Sequence, residues 1–182
     1  MSSPAKQPES VEKLPDGTVI RLRLIRPEDE RLLQDFAAHM SPEDLRLRFF
    51  AAMRGLSHKL AARLSHIDYD RDIAVLAFAE DAEELLGVAR FSGDPDNHVA
   101  EFAIAVRTDW KRHGLGHLLM AYLIRQARQR GIDRLVGKML PENAAMLQLC
   151  REFGFTVTFN PRDPKLLRVS KTLSPAPESK PT

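Results

Sequence analysis

The sequence predicts an α+β fold: a mixed, mostly antiparallel sheet of about seven strands, flanked by helices. Three observations carry this. Residues 73–79, 85–91 and 99–106 are apolar or alternating segments joined by short polar turns, which makes an antiparallel meander. A basic turn with two glycines, residues 111–116, then runs directly into a long amphipathic helix. After that helix come a strand, a second helix and a final strand pair. The order is therefore β-ααα-βββ-α-β-α-ββ, with one parallel contact at the crossover helix.

Taken in order, residues 1–13 are polar and contain Pro and Ser, so they are expected to be a disordered tail. The expected domain spans 14–173, and residues 174–182 are expected to be a second disordered tail. Asp16-Gly17 reads as a turn, and residues 18–25 alternate as a first strand with arginines on one face. Pro27 followed by Glu28 and Asp29 opens the first helix, because proline suits the first turn and acids suit the positive end of the dipole. Ser41-Pro42-Glu43-Asp44 repeats that signal for a second helix carrying Leu45, Leu47, Phe49 and Phe50. A third short helix covers about 57–65. The unbroken run 73–79 reads as a strand buried on both faces. The crossover helix runs from Leu115 to about Arg130 and stops at Gly131. Residues 132–139 form a strand, 142–153 a helix closed by Gly154, and 155–159 with 166–173 the last antiparallel pair.

Composition narrows the function. A chain of 182 residues that is 43% hydrophobic supports one well-packed domain. The formal net charge of +2 disfavours a dedicated nucleic-acid-binding module, which would concentrate basic residues. The single cysteine, Cys150, rules out an internal disulfide framework and a cysteine zinc site, and fits a reducing compartment. With neither a signal-peptide pattern nor an apolar run of membrane-spanning length, a cytoplasmic protein is expected.

The turn at 111–116 follows a strand and opens a helix, so it offers unpaired backbone N–H groups suited to a phosphate or diphosphate. It is not a P-loop, since no Lys-Ser/Thr follows the glycines. It is not a dinucleotide fingerprint, since Leu119 stands at the third glycine position and the turn follows a meander. The stretch 106–116 resembles the cofactor motif of the GNAT acyltransferase superfamily, Arg/Gln-x-x-Gly-x-Gly/Ala after a strand ending in Val. Asn143 with Gly154-Phe155 resembles that superfamily's second motif. The strand order agrees from about Val19 to Leu173. Residues 42–50, 66–71 and 100–107 resemble more closely the catalytic domain of Pat-type bacterial protein lysine acetyltransferases. In that family the domain is often fused to large synthetase-like or nucleotide-sensing regions, whose regulation is not carried over to this chain.

The resemblance implies an acetyl-CoA-dependent N-acetyltransferase without a metal. Its expected partners are acetyl-CoA and a protein bearing an acceptor lysine, with neither nucleic acid nor membrane. Backbone N–H groups of Arg112, His113, Gly114, Leu115 and Gly116 would hold the diphosphate, with Lys111, Arg112 and His113 adding positive charge. Ile104, Ala105 and Val106 would line the pantetheine, a free N–H near Ala105 or Val106 polarising the thioester carbonyl. Asn143 completes the cofactor set. Glu101 resembles the family's general base, and an ammonium of pKa ~10.4 needs one. Lys111 departs from the usual Arg/Gln, Thr108 from a frequent Pro, and Cys150 stands where many relatives have a Tyr, so no general acid is assigned. Plainer readings stand beside these. Glu101 could face solvent or pair with an arginine. His113 and His117 have helix-face metal spacing but no obvious third ligand, and Cys150 reads most simply as a buried apolar residue. Asp68-Tyr69-Asp70 is a turn or a contact for the acceptor amine, while Asp94, Asp96 and His98 read as turn residues. A small-molecule amine acetyltransferase and a non-catalytic coenzyme A sensor are the alternative functions.

Overall fold

The computed structural model describes residues 9–173. Its strands are β1 (Ser10–Lys13), β2 (Val19–Leu24), β3 (Asp72–Ala79), β4 (Leu85–Gly93), β5 (Val99–Val106), β6 (Arg134–Met139), β7 (Thr156–Phe159) and β8 (Leu167–Thr172). Its helices are α1 (Glu30–Ala38), α2 (Pro42–Phe49), α3 (His58–Ser65), α4 (Leu115–Gln129) and α5 (Ala144–Glu152). The eight strands form one sheet in the order β1-β2-β3-β4-β5-β6-β8-β7. This is the predicted α+β architecture with one strand more than expected. Ser10–Lys13, expected within the N-terminal tail, pair antiparallel with β2 from Ser10↔Leu22 to Lys13↔Val19. The remainder of the expected tails, residues 1–8 and 174–182, lies outside the described residues.

Strand β3 shows why the meander sits at the centre. Ile73, Val75 and Ala77 join the core shared with α4 and α5, while Ala74, Leu76 and Phe78 join a second core under α1 and α2. Alternation in a strand apolar at every position buries both faces, which requires helices on both sides of the sheet. The capping signal at Ser41 holds, and Ser57 caps α3 in the same way. Ser41 and Ser57 accept hydrogen bonds from Asp44 N and Leu60 N, each at 3.1 Å. Helix α2 ends one residue earlier than expected: Phe50 adopts a left-handed conformation (φ 64°) and caps it.

The feature that makes the site is a fork in the sheet. The ladder between β4 and β5 runs the full length, from Gly87↔Val106 to Gly93↔Ala100. The parallel ladder between β5 and β6 covers only Val99↔Arg134 to Glu101↔Val136. Beyond it the strands part. Phe102 fills the fork: a Cβ on Gly137 of β6 would lie 2.7 Å from the Phe102 ring, and that ring packs on Phe155 at 5.3 Å. A bulky ring on one strand and a glycine on the other thus occupy the place where ladder contacts would continue.

Candidate active site

The fork opens into a cleft of about 520 Å³, within the range of small-molecule sites. Its walls come from β5, the turn into α4, α2, the end of β6 and α5. Of the sequence-predicted residues, Glu101, Ile104, Ala105, Val106, Lys111, Arg112, Gly114, Leu115, Gly116 and Asn143 all line it. His113 does not. Its ring packs near Trp110 at 5.4 Å and its Nδ1 lies 4.0 Å from Asp16, so it adds no direct contact to the cleft.

The turn into α4 has a backbone geometry that suits an anion. Arg112 (φ 67°) and Gly114 (φ 89°) are both left-handed, the kind of backbone alternation from which anion-binding concavities are built. A Cβ at Gly114 would also meet Pro15 at 3.0 Å. The first backbone bond of the helix is Leu118 N–H to Gly114 O at 3.1 Å. The N–H groups from Lys111 to His117 make no hydrogen bond among the described residues. Of three non-glycine residues with positive φ there, Phe50 and Arg112 both line the cleft, a placement typical of strain held at functional sites.

On β5, register decides which backbone groups are open. Arg107 N–H donates to Leu86 O at 2.8 Å, and Val99 O accepts from Asp94 N–H at 2.8 Å. Antiparallel alternation therefore turns the backbone of the odd-numbered residues toward β4 and that of the even-numbered ones toward the fork. The open N–H groups belong to Ile104 and Val106, whereas Ala105 contributes its side chain. Glu101 sits on the last paired rung, its side chain 51% exposed, with Lys138 Nζ 3.7 Å from its carboxylate. That loose surface pair leaves the carboxylate accessible.

Lys111, expected to add positive charge at the turn, has a carboxylate partner. Its ammonium pairs with Asp44 of α2, whose carboxylate also accepts from Thr108 Oγ1 at 2.6 Å. Thr108 Oγ1 in turn accepts from Ser41 N at 2.8 Å. Burial pushes the Asp44 carboxyl up, but the bonds from Lys111 and Thr108 more than offset this and hold it below the usual carboxylate range. This network ties α2 to the cofactor turn. Arg48, one helical turn beyond Asp44, lines the cleft together with Ala103 and Ala105. In sequence Asp44 reads only as an acid in a first helical turn, and Arg48 gives no signal.

Asn143 caps α5, its Oδ1 accepting from Met146 N at 3.2 Å. His117 pairs with Glu152 and not with His113. Among the described residues no group of three His, Cys, Asp or Glu is placed to hold a metal. Cys150 is fully buried, and burial pushes its thiol up to about 12. It does not line the cleft, so it cannot stand in for a Tyr acid there. Asp68-Tyr69-Asp70 form a turn outside the cleft: Asp70 N bonds to Asp68 Oδ1 at 3.0 Å, and Tyr69 Oη donates to Ile25 O at 2.8 Å.

The acetyltransferase (GNAT) family model matches residues 40–155, more than half of the chain. The chain belongs to the GNAT acetyltransferase family. An acetyltransferase of Pseudomonas aeruginosa is 30% identical over 155 residues, covering 84% of this chain and 83% of that protein. The acetyltransferase Pat of Mycolicibacterium smegmatis is 30% identical over 140 residues, covering 76% of this chain and 41% of its own length. In structure, the GNAT domain of S. lividans PAT superposes with a TM-score of 0.83 at 26% identity, covering 91% of this chain and 97% of that one. The expected resemblance to Pat-type GNAT domains is thus matched in sequence and in fold. The chain is an N-acetyltransferase by family, and the family's cosubstrate is acetyl-CoA. No helix among the described residues is long and apolar enough to cross a membrane.

Proposed function

We propose that this GNAT enzyme transfers the acetyl group of acetyl-CoA directly to a protein lysine, with Glu101 as general base. One observation carries the reading. The accessible Glu101 carboxylate and the unpaired N–H groups of the α4 turn face the same cleft, at opposite ends of the open half of β5. The diphosphate of coenzyme A suits the N–H groups from Arg112 to Gly116. Because Lys111 is paired with Asp44, backbone donors carry most of that binding, with Arg112 a cation of the turn that has no ion-pair partner among the described residues.

The chemistry follows from this layout. Pantetheine runs along the fork, where Ile104 and Val106 present N–H groups to a ligand. One of these stabilises the thioester oxygen as negative charge develops. The acceptor ammonium gives a proton to Glu101, directly or through one water. The amine nitrogen then bonds to the carbonyl carbon, the C–S bond breaks, and coenzyme A leaves as a thiolate protonated by solvent. No acyl-enzyme is formed. The Pat-type motifs in 42–50 and 100–107 support lysine as acceptor, and the lone buried cysteine supports a cytoplasmic setting.

Substituting Glu101→Gln tests the base. Turnover should fall by about 10²-fold or more while acetyl-CoA still raises Tm. Undiminished turnover would remove Glu101 from the mechanism. Labelled acetyl-CoA incubated with cell lysate tests the acceptor. Label on lysine side chains of protein is expected, and label confined to small amines would overturn that assignment.

A further inference from the structure

A second, smaller chamber lies behind Ala103 and Ala105, on the α1–α2 face of the sheet. It shares Met40, Arg48, Ala103 and Ala105 with the main cleft, so the two adjoin at the open half of β5. Its wall is otherwise apolar, with Phe36, Leu64 and Val88 among its residues, except for two guanidiniums: Arg48 of α2 and Arg90 of β4. Its volume is about 30 Å³, against about 10–15 Å³ for one water on the same measure. That is room for roughly two water-sized groups, the bulk of one carboxylate.

These arginines lack the partners that such a place demands. Among the described residues neither has a carboxylate within ion-pair distance. Arg90 Nη2 donates to Leu64 O at 3.0 Å. Arg48 makes no hydrogen bond there and stacks on Phe49 at 4.6 Å. Burial lowers the pKa of both, and repulsion from Arg90 adds to it at Arg48, which falls to about 10. The charges facing them are Glu101 toward Arg48, with Asp72 and Arg63 toward Arg90, none in contact. Both arginines are half-buried, and a guanidinium that gives up hydration against an apolar wall without a counter-charge is not repaid for it. Two in one apolar chamber imply that a counter-anion arrives with a ligand. The chamber adjoins the place where the acyl group would lie, which identifies that ligand's anionic part.

We propose that this chamber is an acyl pocket for a carboxylate. The enzyme then accepts a short dicarboxylic acyl group such as succinyl from its coenzyme A thioester, and Arg48 and Arg90 hold the distal carboxylate. This rests on the coenzyme A reading of the cleft but not on the identity of the acceptor. The transfer balances as for acetyl: the N–C bond forms, the C–S bond breaks, the amine proton goes to Glu101, coenzyme A leaves as thiolate, and the distal carboxylate is unchanged.

Calorimetry of the purified chain with acetyl-CoA, succinyl-CoA and butyryl-CoA tests this without an acceptor. Succinyl-CoA should bind about tenfold or more tighter than butyryl-CoA, its neutral counterpart of equal chain length. Arg48→Gln and Arg90→Gln should each erode that ratio. Equal affinities for the two thioesters in the wild-type protein overturn the pocket, whatever the variants do. A preference kept undiminished in both variants overturns the assignment to these arginines. Failure of all three thioesters to bind would instead overturn the cofactor reading beneath the proposal.

Discussion

Replacing Lys111 by Met separates two roles for the cation at the cofactor turn. If its ammonium is a strut, the substitution strips a counter-charge from Asp44, whose side chain is only 8% exposed. A hydrogen bond to a charged group contributes roughly 1.5–3 kcal/mol. The Lys111 side chain is 42% exposed, so solvent screening reduces this, and a loss of about 1–2 kcal/mol is expected. For a chain of this size that lowers Tm by about 2–8 °C. The pH dependence has a definite sign. The Asp44 carboxyl is held low in the folded state, so its contribution is present above the unfolded value of ~3.9 and is lost as pH falls through the folded pKa. The stability difference between wild type and Lys111→Met should therefore persist from neutral pH down to about pH 5 and shrink in stronger acid. The assay is thermal unfolding over that pH series, with acetyl-CoA affinity measured alongside. An unchanged Tm together with strongly weakened acetyl-CoA binding would refute the strut and return Lys111 to the diphosphate.

Further outcomes follow from the same structure. Gly137→Ala places a methyl 2.7 Å from the Phe102 ring and 3.2 Å from Val169, with the ring held by Phe155. It should destabilise by about 1–3 kcal/mol in urea unfolding, and an unaffected midpoint would show that the fork can relax. Asp29→Ala removes two bonds to Arg23, at 2.7 and 2.8 Å, and one from Arg26 N at 2.7 Å. With the Arg23 and Asp29 side chains only 12% and 6% exposed, a loss of about 3 kcal/mol is expected. Cys150 should resist thiol reagents at pH 8 in the native protein and react once on unfolding, because burial holds its thiol at about 12. Rapid native labelling would show that the α4–α5 core opens.

Local features were legible because their causes are local. The meander, the serine cap of α2, the two-sided burial of β3 and the strand–turn–helix arrangement each follow from residue spacing over a few positions. So does the cleft membership of Glu101 and most of the cofactor set, since one strand and one turn carry them. The extra strand β1 was hidden because a short polar edge strand has no apolar pattern, and only pairing with β2 defines it. The direction of the His113 side chain was not legible, because it depends on the neighbours of the turn, here Trp110 and Asp16.

The sequence by itself determined the fold class, the family motifs and the position of a glycine turn at a helix N-terminus beside a carboxylate. Periodicity and capping act within a turn or two of chain and need no partner from elsewhere. Only the tertiary structure decided which cations remain available. Lys111 meets Asp44 from 67 residues away, and Arg48 and Arg90 line one apolar chamber with no carboxylate in contact among the described residues. Charge pairing over such separations is set by how helices pack on the sheet, and no local pattern encodes it.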